Sequence, residues 1–212
     1  GDRTMGIWER PTPAFLDRLT DEFGLPMPRE HGLDVADAIA AFVAGEASTL
    51  FCLGGNFMRA IPDTERAEAA IRRARLTVHV STKLNRTHVL PGRQMLILPC
   101  LGRTERDVTI AGWQGVTVED SMSSVHLSVG RNEPASEHLH GEPWIVCRIA
   151  EATLGSAPEG SRIDWARMAE DYTAIRGHIG NVVPGCDAYD AKVQRPGGFV
   201  LPHPPRDTRT FE

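Results

Sequence analysis

The residues best suited to do chemistry gather in loops that follow short apolar runs. Leu50-Phe51-Cys52-Leu53 breaks into Gly54-Gly55-Asn56. Leu76-Thr77-Val78-His79-Val80 breaks into Ser81-Thr82-Lys83-Leu84-Asn85-Arg86-Thr87-His88. Met95-Leu96-Ile97-Leu98 breaks into Pro99-Cys100-Leu101-Gly102-Arg103-Thr104-Glu105-Arg106-Asp107. Two successive glycines let a backbone approach a ligand closely, and Asn56 offers both a donor and an acceptor. Gly54-Gly55 is not the dinucleotide fingerprint, which needs three spaced glycines. Ser81, Thr82, Lys83, Asn85 and Arg86 supply hydroxyls, an amide and two cations, a set suited to phosphate and base recognition. Arg103 to Asp107 is a similar set. Taken singly, each loop reads equally well as a tight turn or a solvated link. Three of them at successive strand ends are expected to converge on one crevice, because ligands of open α/β sheets sit beyond the carboxyl ends of the strands.

Other candidates carry a plainer alternative. Glu137-His138-Leu139-His140-Gly141-Glu142 invites a metal reading, but His-x-His presents both rings on one side only in a strand, and spacing offers no third ligand. Cys100 stands after Leu98-Pro99 with no base partner to activate it, and an unreactive loop cysteine is the simpler reading. Glu119-Asp120-Ser121 fits a turn or cap better than an acid pair.

Composition narrows the classes. The 212 residues carry 41% hydrophobic side chains and a formal charge of −5. That suits one sizeable globular domain, or one domain with an extension, and it argues against a generic nucleic-acid binder, which needs a basic face. Arg72, Arg73 and Arg75 form a local basic spot that reads as a solvated helix end. Cys52, Cys100, Cys147 and Cys186 show no CxxC spacing and suggest neither a disulfide framework nor a cysteine metal cage, so a reducing, cytoplasmic setting is expected. No apolar run approaches the roughly 20 residues of a membrane span.

The elements that must position these loops follow from caps and periodicity. Residues 1–12 read as polar and irregular. Thr12-Pro13 starts a helix that Gly24 stops, with Phe15, Leu16, Leu19 and Phe23 as its apolar stripe. Asp34 starts a second, apolar at Val35, Ala38, Ile39, Phe42 and Val43 and ended by Gly45. Strands are predicted at Thr49–Leu53, Leu76–Val80 and Met95–Leu98, with a helix from Asp63 to Arg73 between the first two. This order, with short links, indicates right-handed crossovers and an open, mostly parallel sheet with helices on both faces, an α/β Rossmann-like fold. Gly115–Val118 reads as a further strand, Pro143–Leu154 as a helix, and one last helix runs from Asp164 with Trp165, Met168, Tyr172, Ile175 and Ile179 on one face. The loop with Gly155, Pro158 and Gly160 separates these two helices. After Gly180 the chain turns rich in proline and glycine (Pro184, Gly185, Pro196, Gly197, Gly198, Pro202, Pro204, Pro205) and reads as a wrapping or linking tail.

The succession Leu53-Gly54-Gly55-Asn56, Pro62-Asp63, Val78-His79-Val80-Ser81-Thr82-Lys83-Leu84-Asn85-Arg86-Thr87-His88, Ile97-Leu98-Pro99, Gly102-Arg103-Thr104-Glu105 and Val116-Thr117-Val118-Glu119-Asp120-Ser121-Met122 resembles the molybdopterin oxidoreductases. It is most similar to their formate-dehydrogenase-like alpha subunits of the FdhF/YdeP type. The likeness extends to Gly1-Asp2-Arg3-Thr4 and Arg195-Pro196-Gly197-Gly198-Phe199, nearly the whole chain. Such enzymes are much longer and hold a bis(molybdopterin guanine dinucleotide) molybdenum cofactor between two nucleotide-binding α/β domains. The resemblance implies that residues 1–180 are one of these domains, excised from its parent, and that 181–212 lead toward a further C-terminal domain. Iron–sulfur cysteines, if any, and the molybdenum ligand would belong to other parts of the parent.

By motif, the resemblance implies that Gly54, Gly55 and Asn56 touch the dinucleotide, with Thr82 and Lys83 alongside. Ser81 stands where the family often has an acid that reads guanine, and Asn85 where it often has a threonine. Arg106 maps onto a basic residue that follows a glutamate, and Glu142 onto an acid just before a helix. Pyrophosphate favours Arg106 and Lys83 as partners, and the guanine edge favours an acceptor such as Glu142. No catalytic residue and no metal ligand is expected in this chain. Its partners would be the remaining domains of the parent and a small-molecule substrate. Two alternatives stay open: a stand-alone, non-enzymatic nucleotide-binding module, and an independent transferase or hydrolase using Cys100 or His88.

Overall fold

A computed structural model describes residues 10–156 and 163–202. The expectations for Gly1 to Thr4, for the start of the irregular segment 1–12, for Pro158 and Gly160, and for Pro204 and Pro205 lie outside the described residues. The chain divides into two compact units. One comprises Gly32–Gly102 and Ala135–Glu142, and the other Gly1–His31, Arg103–Pro134 and Pro143–Glu212.

The first unit is built on a parallel sheet. Strands β1 (Thr49–Leu53), β2 (Leu76–Ser81) and β3 (Gln94–Pro99) lie in the order β1-β2-β3. Phe51 pairs with Val78 and Val78 with Leu96, which puts the carboxyl ends of all three strands at one edge. Helix α1 (Pro13–Phe23) belongs to the second unit, whereas α2 (Val35–Ala44) precedes β1, and a short α3 (Phe57–Ala60) and α4 (Thr64–Arg73) link β1 to β2. The caps are local chemistry. The Asp34 side chain accepts from Asp37 N and that of Asp63 from Arg66 N, while Gly45 closes α2 in the left-handed conformation. Helix α4 packs on α2 because alanines at 67 and 70 let the two approach closely. Ile39, Phe42, Met58, Ile61, Ile71 and Leu90 complete this core, with Leu50 of β1 against it. The α/β class and the parallel strands expected from sequence are both present.

The β2–β3 link holds no α-helix. It makes a 3-10 turn at Arg86–Val89, capped by Asn85. Beyond β3, Cys100 forms a parallel bridge with His140, and Leu101 N donates to His140 O at 3.0 Å. The segment Ala135–Glu142 is thereby anchored beside the strand ends.

The second unit is antiparallel where it has strands. β4 (Asp107–Thr109) pairs with β5 (Gly112–Gln114), and β6 (Val116–Glu119) with β7 (Ser124–Ser128). β6 matches the expected strand, and the helix expected at Pro143 is α5 (Glu142–Leu154). The single last helix is a correction: the chain makes α6 (Trp165–Glu170) and α7 (Tyr172–Val182), broken at Asp171, whose backbone is extended and whose side chain caps α7 through Thr173 N. The break lets Tyr172 reach inward. Its N–H donates to Gln114 Oε1 at 2.9 Å and its hydroxyl to Asp107 Oδ2 at 2.7 Å. After Gly180 the chain adds α8 (Tyr189–Val193) and β8 (Phe199–Val200), which pairs with β7. Cys186, Tyr189 and Val193 pack on Val125 there.

Candidate functional site

In the first unit the ends of β1 and β2 meet over a small recess lined by Cys52, Gly54, Gly55, Phe57, His79, Val80, Ser81, Thr87 and His88. Its rim is the Gly54-Gly55-Asn56 turn. Gly54 and Gly55 have φ of 68° and 71°, a region that only glycine enters at little cost. Gly54 N–H donates to Val80 O at 2.8 Å, so the turn begins as a continuation of the parallel ladder.

Asn85 ties the two loops together. Its Nδ2 donates to Gly55 O at 2.8 Å, and its Oδ1 accepts from Thr87 N at 2.9 Å. Its own N–H donates to His88 Nδ1 at 3.0 Å, completing a reciprocal cap. Thr87 adds a second tie: its hydroxyl accepts from Met58 N and donates to Asn56 Oδ1. The Asn85 amide is thus spent on holding the loops in register. Replacing Asn85 with alanine should cost about 1–2 kcal/mol, the sum of a lost cap and one further hydrogen bond. Hydrogen exchange should accelerate at Thr87, and unchanged protection there would show that the cap contributes nothing.

Ser81 also turns inward on its own loop. Its hydroxyl donates to Lys83 O at 2.7 Å. Thr82 and Lys83 are exposed beyond it. Glu142 comes to the same rim from the anchored segment, where its Oε1 lies 3.8 Å from the position a Gly54 Cβ would take. Of the expected site residues, Gly54, Gly55, Asn56, Ser81, Asn85 and Glu142 are therefore gathered at one strand-end recess. Arg106 belongs to the second unit, where it pairs with Glu133 and its guanidinium lies 5.7 Å from the Trp113 ring centroid.

The floor of the recess is a pair of buried imidazoles that the sequence reading did not join. His79 and His88 are 2% and 7% exposed, with ring centroids 4.9 Å apart. Burial, and then the neighbouring His88, hold the His79 pKa below its ordinary value, so its ring is neutral near pH 7. Burial pushes the Cys52 thiol up, which keeps it protonated and unsuited to nucleophilic attack. The signal that could have found the pair is the alternation of β2, which puts Thr77 and His79 on one face of a buried strand. Nothing local announces His88 as its neighbour.

Among the described residues, no group of three or more His, Cys, Asp or Glu is arranged to hold a metal ion. No helix among them is long and apolar enough to cross a membrane.

No family model matches the chain. It is 53% identical over 211 residues to a protein named an uncharacterized oxidoreductase in Mycobacterium tuberculosis, covering 100% of this chain and 27% of that protein. It is 44% identical over 201 residues to the protein YdeP of Escherichia coli O6:H1, covering 95% of this chain and 26% of that protein. A Shigella flexneri YdeP is similar to the same degree. The chain spans about a quarter of the length of these relatives, one of which bears the name of an oxidoreductase.

Proposed function

We propose that this chain is a dinucleotide-binding portion of a molybdopterin-dependent oxidoreductase, formate-dehydrogenase-like in kind, and that it holds one guanosine arm of the bis(molybdopterin guanine dinucleotide) cofactor. The observation that carries the reading is the Gly54-Gly55 turn at the carboxyl ends of parallel strands with the Glu142 carboxylate beside it. The chemistry of the recess suits the group. A Cβ at Gly55 would meet nothing within 4 Å, so the turn leaves space for a ligand against bare backbone. Guanine presents N1–H and N2–H2 donors, and Glu142 is an acceptor with two oxygens. Because Ser81 carries no carboxylate and its oxygen already accepts from Lys83 N within its own loop, the acidic acceptor role expected at the end of β2 falls to Glu142.

In this reading Gly54, Gly55 and Asn56 shape the wall, Asn85 and Thr87 hold it, Glu142 reads the base, and exposed Lys83 offers its charge to the pyrophosphate. The bound cofactor supplies the redox chemistry, and this chain supplies binding and orientation. The remaining domains of a longer protein and a small-molecule substrate complete the enzyme.

The deciding experiment is metal and pterin analysis of the intact protein, expressed with cofactor supply. Molybdenum and pterin should be found together at about two pterins per metal, the ratio implied by a bis-pterin cofactor in which the protein only binds and orients. Protein that contains neither overturns the reading.

A further inference from the structure

We propose that His88, with His79 beside it, determines base specificity at this recess by donating to the acceptor edge of a guanine. The inference rests on the dinucleotide reading above and adds to it the residues that tell one purine from the other.

Two observations carry it. The first is the pair of unmatched nitrogens. Nε2 of His79 and Nε2 of His88 are buried and have no hydrogen-bond partner, although both rings line the recess. Buried polar atoms in native proteins are nearly always paired, and an exception calls for a partner from outside the chain. The second is the tautomer. The Asn85 N–H donates to His88 Nδ1, so Nδ1 uses its lone pair there and the ring N–H sits on Nε2. The atom facing the recess is therefore a donor. Burial, and then the neighbouring His88, hold the His79 pKa below its ordinary value.

A donor at this position sorts purines. Guanine shows two acceptors, O6 and N7, on one edge, whereas adenine shows N7 beside an N6–H2 donor that would oppose His88. An anionic phosphoryl group would also accept from the imidazoles, but the Glu142 carboxylate borders the same turn at Gly54 and repels it. The same carboxylate suits guanine, whose N1–H and N2–H2 donate on the other edge. Both imidazoles line the recess together with Gly54 and Gly55, so a base that reaches their nitrogens enters past that turn. One hydrogen bond from Asn85 Nδ2 to Gly55 O and one from Gly54 N–H to Val80 O hold it down.

The test is calorimetric titration of the intact, cofactor-free protein with GDP and with ADP. Unaltered protein should bind GDP at least about tenfold more tightly than ADP, the effect of one mismatched buried donor. In His88→Asn the side-chain oxygen can still accept from Asn85 N–H, but the far donor is gone. GDP affinity should fall about tenfold and the preference for GDP over ADP should shrink by about the same factor, leaving the part that Glu142 supplies. A second readout needs no variant: in protein labelled with 15N-histidine, the His88 Nε2–H resonance should shift on addition of GDP and not of ADP. A GDP preference undiminished in His88→Asn overturns this assignment and leaves the dinucleotide reading standing, whereas equal binding of GDP and ADP by the unaltered protein overturns both this assignment and the base-reading role of Glu142. Binding of neither nucleotide overturns this assignment and the dinucleotide reading together.

Discussion

Gly198→Ala is expected to cost about 3–5 kcal/mol, from a left-handed backbone forced on an L residue and an overpacked contact. Gly198 sits at φ 67°, and a Cβ there would stand 1.9 Å from the Val125 carbonyl oxygen. That oxygen belongs to β7 beside β8, where Val125 pairs with Phe199, so no side chain can swing away to make room. The collision would push the last strand off Val125 and the core of Cys186, Tyr189 and Val193. Gly197 supplies the control. It has φ 79° but nothing within 4 Å of its missing Cβ, so Gly197→Ala should cost only about 1–2 kcal/mol. Denaturant melts of the two variants separate the causes. Equal losses would mean that backbone conformation alone matters and that the close approach to Val125 does not.

The second large effect is expected at a buried cation. Arg176 is 5% exposed, and its guanidinium donates to Asp190 Oδ1 at 2.5 Å and to Gly115 O at 3.0 Å. It joins α7, α8 and the start of β6 through one side chain. Asp190→Ala leaves that charge without its counterion and should lower stability by about 3–5 kcal/mol. Removing both charges, as Arg176→Met with Asp190→Leu, should cost less than the single substitution, because no uncompensated ion remains. Thermal unfolding of the three proteins decides it. A double variant at least as unstable as Asp190→Ala would show that the packing of the arginine stem matters more than its charge.

The recess adds a functional side to this energetics. On the proposed function, the bracing of the Gly54–Asn56 turn by Asn85 and Thr87 would keep the backbone set for the ligand and lower the ordering cost at binding. The same bracing explains why residues whose types suit ligand contact make their visible hydrogen bonds to their own chain.

The local signals in the sequence determined a good part of this protein. Thr12, Pro13 and Gly24 bound α1, Asp34 and Gly45 bound α2, and Asp63 caps α4, each through contacts within a few residues. The three apolar runs are the three parallel strands, of which only the central β2 is buried, while β1 exposes Phe51 and Leu53 and β3 exposes Leu96 and Ile97. Gly54, Gly55, Asn56, Ser81 and Asn85 read as candidates because they follow strand ends, and Glu142 through the family resemblance, while composition alone gives each loop a tight turn or a solvated link as an equal reading.

What only the tertiary structure decided depends on distant partners. Asp171 divides α6 from α7 because Tyr172 is tied to Gln114 and Asp107, some sixty residues earlier in the chain, and no helical period reveals that. β8 has two residues and exists because β7 is there to pair with it. Asn85 looks like a ligand contact by type, yet both ends of its amide are engaged by Gly55 and Thr87. His79 belongs to a strand and His88 to a 3-10 turn, and their rings meet because the Asn85 cap folds that turn back onto the strand. Composition and spacing report what each segment can do alone. Which buried groups are left without partners is set by the whole packing, and that is what separates a polar loop from a candidate binding site.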